Sequence, residues 1–537
     1  VTALVRRAAA LIVAALAAGC MAGRGGGGAS PTETPPRTGP GGAGSPGAAT
    51  PVVAPADDRP GAHAAPGISR GELPRAAGDT APWTGPPIGR AAVDALRYPE
   101  LRFDPPEAER FTLSNGVPVF FMEDHSLPLV DVIAFFRGGS SHFDRSDFAA
   151  ATAVASSLLL SAGTASLPPD SVDKLVDTYA LTPAIGTGGT GSFAAIGSLT
   201  RNFDLALGLL AEMLRAPRFD RDRVETWRLR ELETVKRLRD SPGNVAISEF
   251  NRLMFGDHPI GWIMEPADLE PDRLSDERLR RVHREIFCRE HLVLGVVGDL
   301  TREEAEAKLE AAFGTWPACP RELDRPPDPV IRSAGGVLVI HKEVNQSTIV
   351  MGQPGGVLMR DDPEYYASQV ANWILGGAGF SSRLLSRLRT EEGLAYSAST
   401  VWGAGTRHQR IFGAITHTKG ESTIAAARQV REVLEEAMRD PPTEAEVRLA
   451  IDNTVNGFVF AFERPADVVS RQMSYRAAGL PEDWLERYLS GVQRVTPGAV
   501  RDVLRRHLRP DSMTIVIVGD TTRFDASPAE LGPILPR

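Results

Sequence analysis

The sequence predicts an α+β fold built from two homologous halves, and three observations lead there. The chain has 537 residues, of which 42% are hydrophobic and 24% charged. That composition suits a soluble globular protein with more than one domain. From Phe111 onward the apolar pattern becomes periodic, and it returns. Gly116-Val-Pro-Val-Phe-Phe-Met-Glu123 opens one half and Gly336-Val-Leu-Val-Ile-His-Lys-Glu343 opens another. Val296-Val-Gly-Asp-Leu-Thr301 closes the first and Ile517-Val-Gly-Asp-Thr-Thr522 the second, giving offsets of 220 residues at the openings and 221 at the closings. Matches at both ends of a unit, at nearly one spacing, indicate duplication. Finally, strands and helices run in blocks without strict βαβ alternation, which separates α+β from α/β.

The chain begins with an export signal. Arg6 and Arg7 supply a positive start, Ala8 to Ala18 a short apolar core, and Gly19-Cys20 a small-residue end. The apolar run is too short to span a bilayer. Leu16-Ala-Ala-Gly-Cys20 resembles a bacterial lipobox with Ala17 where Leu is usual, which makes Cys20 a lipidation site and the only membrane contact. Plain secretion is the alternative. Residues 21–108 are dominated by Gly, Pro, Ala, Ser and Thr with few aromatics, so they bury too little apolar surface to offset their ordering entropy. They read as a tether between anchor and folded body.

The first folded domain spans 109–325. It opens with a β-hairpin-like stretch (117–122, then 129–136), followed by a helix-period region of small and apolar residues. A long charged helix at 221–239 comes next, and a closing strand at 292–297. A proline-rich stretch, 317–329, marks the boundary with a second domain of similar order at 330–525. Cys288 and Cys319 pair only if the fold brings them together, which the sequence leaves open; each is expected to be a small buried apolar residue. The net charge of −9, with no Lys/Arg block, argues against nucleic acid as a partner.

Several strings, read in order from Phe111 to Thr522, resemble the insulinase/pitrilysin-type zinc peptidases, the group that includes the mitochondrial processing peptidase. They are Ser161-Ala-Gly-Thr164, then 282–299, and above all Asn372-Trp-Ile-Leu-Gly-Gly-Ala-Gly-Phe-Ser-Ser-Arg-Leu384 running on to Leu388-Arg-Thr-Glu-Glu-Gly-Leu-Ala-Tyr-Ser397. The resemblance implies duplicated peptidase-like halves forming half of a clamshell around an unfolded peptide, with a second chain completing it. Ala184 to Ser198 lies where such proteins place an exposed edge strand to which a peptide can add.

Active members of that group hold zinc on an inverted H-x-x-E-H helix, where two histidines four apart share one face and the glutamate serves as general base. Aligned on Gly163-Thr164, the motif positions fall on Val154, Ala155, Ser156, Ser157 and Leu158, and the third ligand falls on Thr234. Glu233 is adjacent but turned about 100° away on a helix. No register repairs this, because no two of the chain's histidines are closer than eight residues. The expectation is no metal in this chain, with zinc in a partner subunit. His283-Arg-Glu285 with Cys288 lacks the Pro-Cys-x-x-Cys of zinc deaminases, so His283 and His291 read as surface or half-buried groups near a helix end and a strand start. There is no Gly-x-Ser-x-Gly elbow and no phosphate-binding Gly-Lys-Ser/Thr loop.

What the resemblance keeps is a grip on substrate. It gives Arg389 and Tyr396 the role of holding backbone carbonyls and stabilising the tetrahedral intermediate, as donors already in place for a developing oxyanion. Gly393 suits a left-handed helix exit. Gly376, Gly377 and Gly379 let the backbone turn closely beside a bound peptide. The resulting expectation is a non-catalytic, substrate-binding subunit, inactive alone, paired with a zinc-bearing paralogue as a metalloendopeptidase of the bacterial periplasm or outer membrane. The alternative is an inactive peptide-binding or scaffold protein of the envelope.

Overall fold

The computed structural model describes residues 106–537. The export signal (1–20), the lipidation site Cys20 and the tether as far as residue 105 lie outside the described residues.

In the first half, β1 (Glu109–Thr112), β2 (Pro118–Glu123) and β3 (Leu129–Arg137) precede α1 (Phe148–Ala153), α2 (Ser157–Ser161) and α3 (Pro169–Thr178). Strands β4 (Thr182–Thr187) and β5 (Gly191–Leu199) are followed by α4 (Phe203–Arg215), α5 (Arg221–Leu238), α6 (Pro242–Phe255) and α7 (Asp276–Ile286). Strand β6 (Leu292–Gly298) and α8 (Arg302–Phe313) end it. The second half begins with β7 (Val337–His341), β8 (Gln346–Pro354), α9 (Pro363–Asn372), the short α10 (Arg383–Leu385), β9 (Ala395–Ala404) and β10 (Gln409–Lys419). It continues through α11 (Thr423–Arg439), α12 (Glu444–Phe460), α13 (Pro465–Ala477), α14 (Trp484–Gln493) and α15 (Pro497–His507) to β11 (Thr514–Gly519). Local chemistry sets several boundaries. The Asp220 carboxylate accepts from the first turn of α5, Ser241 caps α6 with Pro242 behind it, and Thr443 with Glu446 forms a capping box on α12.

The fold is α+β. Two sheets run β1-β2-β6-β3-β5-β4 and β7-β11-β8-β10-β9. The second repeats the first without its leading strand, and the paired openings and closings read from the sequence are the strand pairs β2/β6 and β7/β11. Both pairs are parallel. This corrects the expected hairpin: β2 and β3 exist, but β6 lies between them, hydrogen-bonded to β2 on one side and to β3 on the other. A strand buried on both faces reads as a continuous apolar run, as Leu292–Val297 does, and such strands sit inside sheets.

Each sheet packs its own helices on one face and a helix of the other half on the opposite face. In β6, Leu292, Leu294 and Val296 face the core of the first half, whereas Val293 and Val297 join Phe120, Ile133, Phe135 and Phe193 against Val469 and Met473 of α13. Reciprocally, Ala246, Phe250 and Met254 of α6 cover Leu338, Ile340, Val350, Val516 and Val518 of the second sheet. Their spacing of four residues places them on one stripe of the helix. A glycine receives each visitor. A Cβ on Gly295 would sit 2.5 Å from Met473 Sδ and 2.6 Å from Val469 Cγ1, and one on Gly352 would sit 2.5 Å from Phe250 Cζ.

Cys288 and Cys319 are disulfide-bonded, with Cα atoms 4.8 Å apart. The expectation of two unpaired cysteines is therefore corrected. The segment after α8 folds back along the end of α7, where Trp316 Nε1 donates to Phe287 O (3.0 Å) and Arg289 N to Pro317 O (2.8 Å).

Candidate functional site

The glycine-rich string between α9 and β9 folds as a chain of tight turns. Residues Trp373–Gly377 and Ser386–Glu391 are both π-helical, a wide geometry that recurs at functional positions. Gly376 lies against β9, where any Cβ would collide with the Thr400 backbone nitrogen. Gly377 turns over the Asn372 carbonyl, and Gly379 is left-handed at φ +57°. Gly393 is left-handed as well, at φ +65°, and Leu394 N closes the second π-helix on Leu388 O at 2.8 Å.

This backbone delivers Arg389 and Tyr396 to one place. The Arg389 guanidinium lies 4.9 Å from the Tyr396 ring centroid, and its Nη1 donates to the Tyr396 carbonyl at 3.1 Å. The guanidinium also lies 4.8 Å from the ring centroid of Phe380. A cation close to two aromatic rings is attracted by both quadrupoles while its remaining N–H groups can still donate. Both rings are solvent-facing, Phe380 at 65% and Tyr396 at 69% exposure. Two large aromatics that open to water are not part of the core, and their exposure is what makes this cluster the candidate site. Phe380 was missed in the sequence. Its signal was a lone bulky apolar residue inside a Gly/Ser turn, where packing does not call for one.

The turn is anchored from behind. Arg383 makes a two-pronged contact with Glu446 of α12, at 2.7 and 2.9 Å, and this guanidinium holds the Glu446 pKa down at about 2. Arg387 reaches Glu436 of α11 at 3.1 Å. Tyr396 lies near the start of β9, the outer strand of its sheet, and β4 is the outer strand of the other sheet. Ala184–Ser198 thus divides into the edge strand β4 and its inner neighbour β5.

The degenerate metal positions occupy different surroundings. The helix expected to carry them is broken: α1 stops at Ala153, and Ser156 starts α2 by accepting from Leu158 N while donating to Ala153 O (2.7 Å). Val154 and Leu158 are completely buried in the first-half core. Ser157 is exposed, and its carbonyl accepts from Ser161 Oγ. Thr234 is exposed on α5 and donates back to Arg230 O at 2.9 Å, and Glu233 beside it pairs with Arg237. Helices α2 and α5 do pack together. One turn before Thr234, burial pushes the Glu231 carboxyl pKa up. These residues do not fit a zinc ion, because the two positions that would supply imidazole nitrogens supply buried hydrocarbon.

His283 is not at the surface. It is buried, stacked 4.9 Å from Phe287 and edge-on to Phe219, and burial holds its pKa down to about 3. His291 is buried too, with Nδ1 at 3.2 Å from both Ile286 O and Cys288 Sγ. Among the described residues, Cys288, His291 and Cys319 form the one group of three potential metal donors.

Residues 273–454, which include the whole Phe380–Arg389–Tyr396 cluster, match the family described as the peptidase M16 inactive domain. The chain is 26% identical over 328 residues to an uncharacterised zinc protease of Streptomyces coelicolor, covering 59% of this chain and 70% of that protein. It is 22% identical over 407 residues to the non-peptidase homologue YmxG of Helicobacter pylori, covering 75% and 92%. Among solved structures, the peptidase M16 inactive domain from Pseudomonas fluorescens superposes with a TM-score of 0.67 at 25% identity, over 77% of this chain and 98% of that one. The periplasmic protease PqqL from Escherichia coli shares the fold, with a TM-score of 0.64 at 13% identity, over 79% of this chain and 48% of that one.

Proposed function

For a chain whose residues 273–454 match the peptidase M16 inactive domain, we propose a non-catalytic, substrate-holding subunit that works with a zinc-bearing paralogue. The single observation that carries this reading is the exposed Phe380–Arg389–Tyr396 cluster, present in a chain whose two imidazole positions, Val154 and Leu158, are hydrocarbon. A scaffold needs a folded body; it does not need two solvent-facing aromatics clasping a guanidinium. The ligand is a peptide or an unfolded segment. The guanidinium and the phenol would donate to its backbone carbonyls and, in the assembled enzyme, to the oxyanion that develops at the scissile carbonyl, the partner being the subunit that would hold zinc and supply its Lewis acidity. The outer strands β4 and β9 offer main-chain groups for a peptide added in extended form. A chain matching 48% of a periplasmic protease is consistent with half of a catalytic assembly, and the proposed place of action is the bacterial envelope.

The test is co-purification with a paralogue that carries H-x-x-E-H, followed by peptide cleavage assays. Tyr396→Phe is expected to lower kcat by about 10²-fold, and Arg389→Ala at least as much, with zinc content unchanged. Failure of any such paralogue to bind, or full activity of both variants, favours the inactive binding or scaffold protein instead.

A further inference from the structure

The disulfide Cys288–Cys319 lies where a chain segment is fastened, and its two sulfurs are in unlike surroundings. Cys288 follows α7 and is buried, whereas Cys319, in the segment that links the two halves, is only partly buried. His291 Nδ1 sits 3.2 Å from Cys288 Sγ and 3.2 Å from Ile286 O. A ring nitrogen facing a carbonyl oxygen must carry its hydrogen, so Nδ1 is an N–H donor shared between that oxygen and the sulfur. Around the bridge the linker is sewn down by Cys319 N to Glu290 Oε2 (2.7 Å), Arg321 Nη2 to Glu285 Oε2 (2.9 Å) and Leu323 buried against the first core.

We propose that Cys288–Cys319 is an exchangeable clasp, opened by a dithiol reductant, which governs whether the linker from Pro317 to Pro329 stays fastened to the first half. One thiolate of the dithiol attacks the more accessible Cys319 Sγ. The S–S bond breaks, a mixed disulfide forms at Cys319, and Cys288 leaves as a thiolate that accepts from His291 Nδ1–H. The second thiol of the reagent then displaces Cys319, so the dithiol is oxidised to its disulfide and both cysteines are reduced to thiols, the net two protons passing from reagent to protein. A donor already placed at the leaving sulfur lowers its basicity and speeds its departure. This inference does not rest on the peptide-holding role of Arg389 and Tyr396.

The whole chain is purified under oxidising conditions and titrated with dithiothreitol, followed by alkylation and mass measurement. The Cys288–Cys319 bridge should be intact before reduction. Trypsin cleavage after Arg321, at the Arg321–Glu322 bond, should rise about tenfold on opening. Cys319→Ser should be cut at the fast rate without reductant, which separates the clasp from any other effect of the reagent. His291→Ala should slow reduction several-fold with the linker still protected until opening, and His291→Asn, which keeps an N–H, should recover part of the rate. Free thiols at both cysteines in the oxidised protein would overturn the proposal. So would equal cutting of Cys319→Ser and the oxidised wild type, or an unchanged reduction rate in His291→Ala.

Discussion

At the scale of single residues, the vacancy at the metal positions is deeper than a change of side chains. Val154 sits in the turn after α1 and Leu158 within α2, so the two positions no longer belong to one continuous helix. Restoring the letters should not restore the site. A Val154→His, Leu158→His, Thr234→Glu variant is expected to lose roughly 3 kcal/mol or more of stability, because two polar rings replace fully buried hydrocarbon. Zinc should not raise its melting temperature, and a clear zinc-dependent rise would overturn this account. A second prediction concerns His125, whose ring bridges Asp299 (2.7 Å) and Glu123 (2.6 Å); the Asp299 hydrogen bond, then that of Glu123, raises its pKa. The folded-state pKa lies above the unfolded value, so this contribution to stability is full below about pH 6.5 and disappears as pH rises through the folded value. Thermal melts from pH 6 to 9 should show that loss in the wild type and a flatter profile in His125→Gln. At this scale the sequence was readable where chemistry is strict. The absence of any His pair needed no coordinates, and the structure puts Arg389 and Tyr396 side by side. Phe380 was not readable, because an aromatic in a flexible string gives no sign of which way it faces.

At the scale of elements, the opening strands, the charged helix at 221–239 and the closing strand at 292–297 announced themselves through periodicity, but their neighbours did not. Nothing in Val117–Met122 or Leu129–Phe136 says that β6, made more than 150 residues later, will come between them. Hydrogen-bond partners across a sheet are long-range facts, and local pattern is silent about them. The stripe Ala246–Phe250–Met254 on α6 was not singled out in the sequence, and its target in the second half is a long-range fact as well. Gly295 and Gly352 are the marks such docking leaves in sequence, since a glycine inside a strand points to a close approach. Gly295→Val should push α13 away from β6, and Gly352→Val should displace Phe250, each costing about 1–3 kcal/mol. Chemical denaturation measures this; a cost near zero at both sites would mean that the helices do not dock as described.

At the scale of the whole molecule, the duplication is visible in sequence as two offsets that nearly agree, while the exchange of helices between the halves is not. Each half supplies the cover for the other's sheet, so neither is complete alone. Residues 106–328 produced separately should expose the apolar faces of both β6 and α6 and aggregate, as should residues 329–537. Produced together, the two pieces should elute as one stoichiometric complex on size-exclusion chromatography. Soluble, monomeric fragments would contradict this. The disulfide adds to the same economy: closing a loop between residues 31 apart stabilises by about 3–4 kcal/mol in the chain-entropy view.

The exchanged helix α13 also imposes a timetable. Phe120, Phe135 and Phe193 are synthesised early, but Val469 and Met473, which cover them, emerge only near the end of the chain. At ordinary ribosomal speeds the wait from β6 to α13 is roughly 10–30 s, during which that aromatic surface faces water with nothing of its own to shelter it. A nascent chain of this design is a natural client for a holding chaperone.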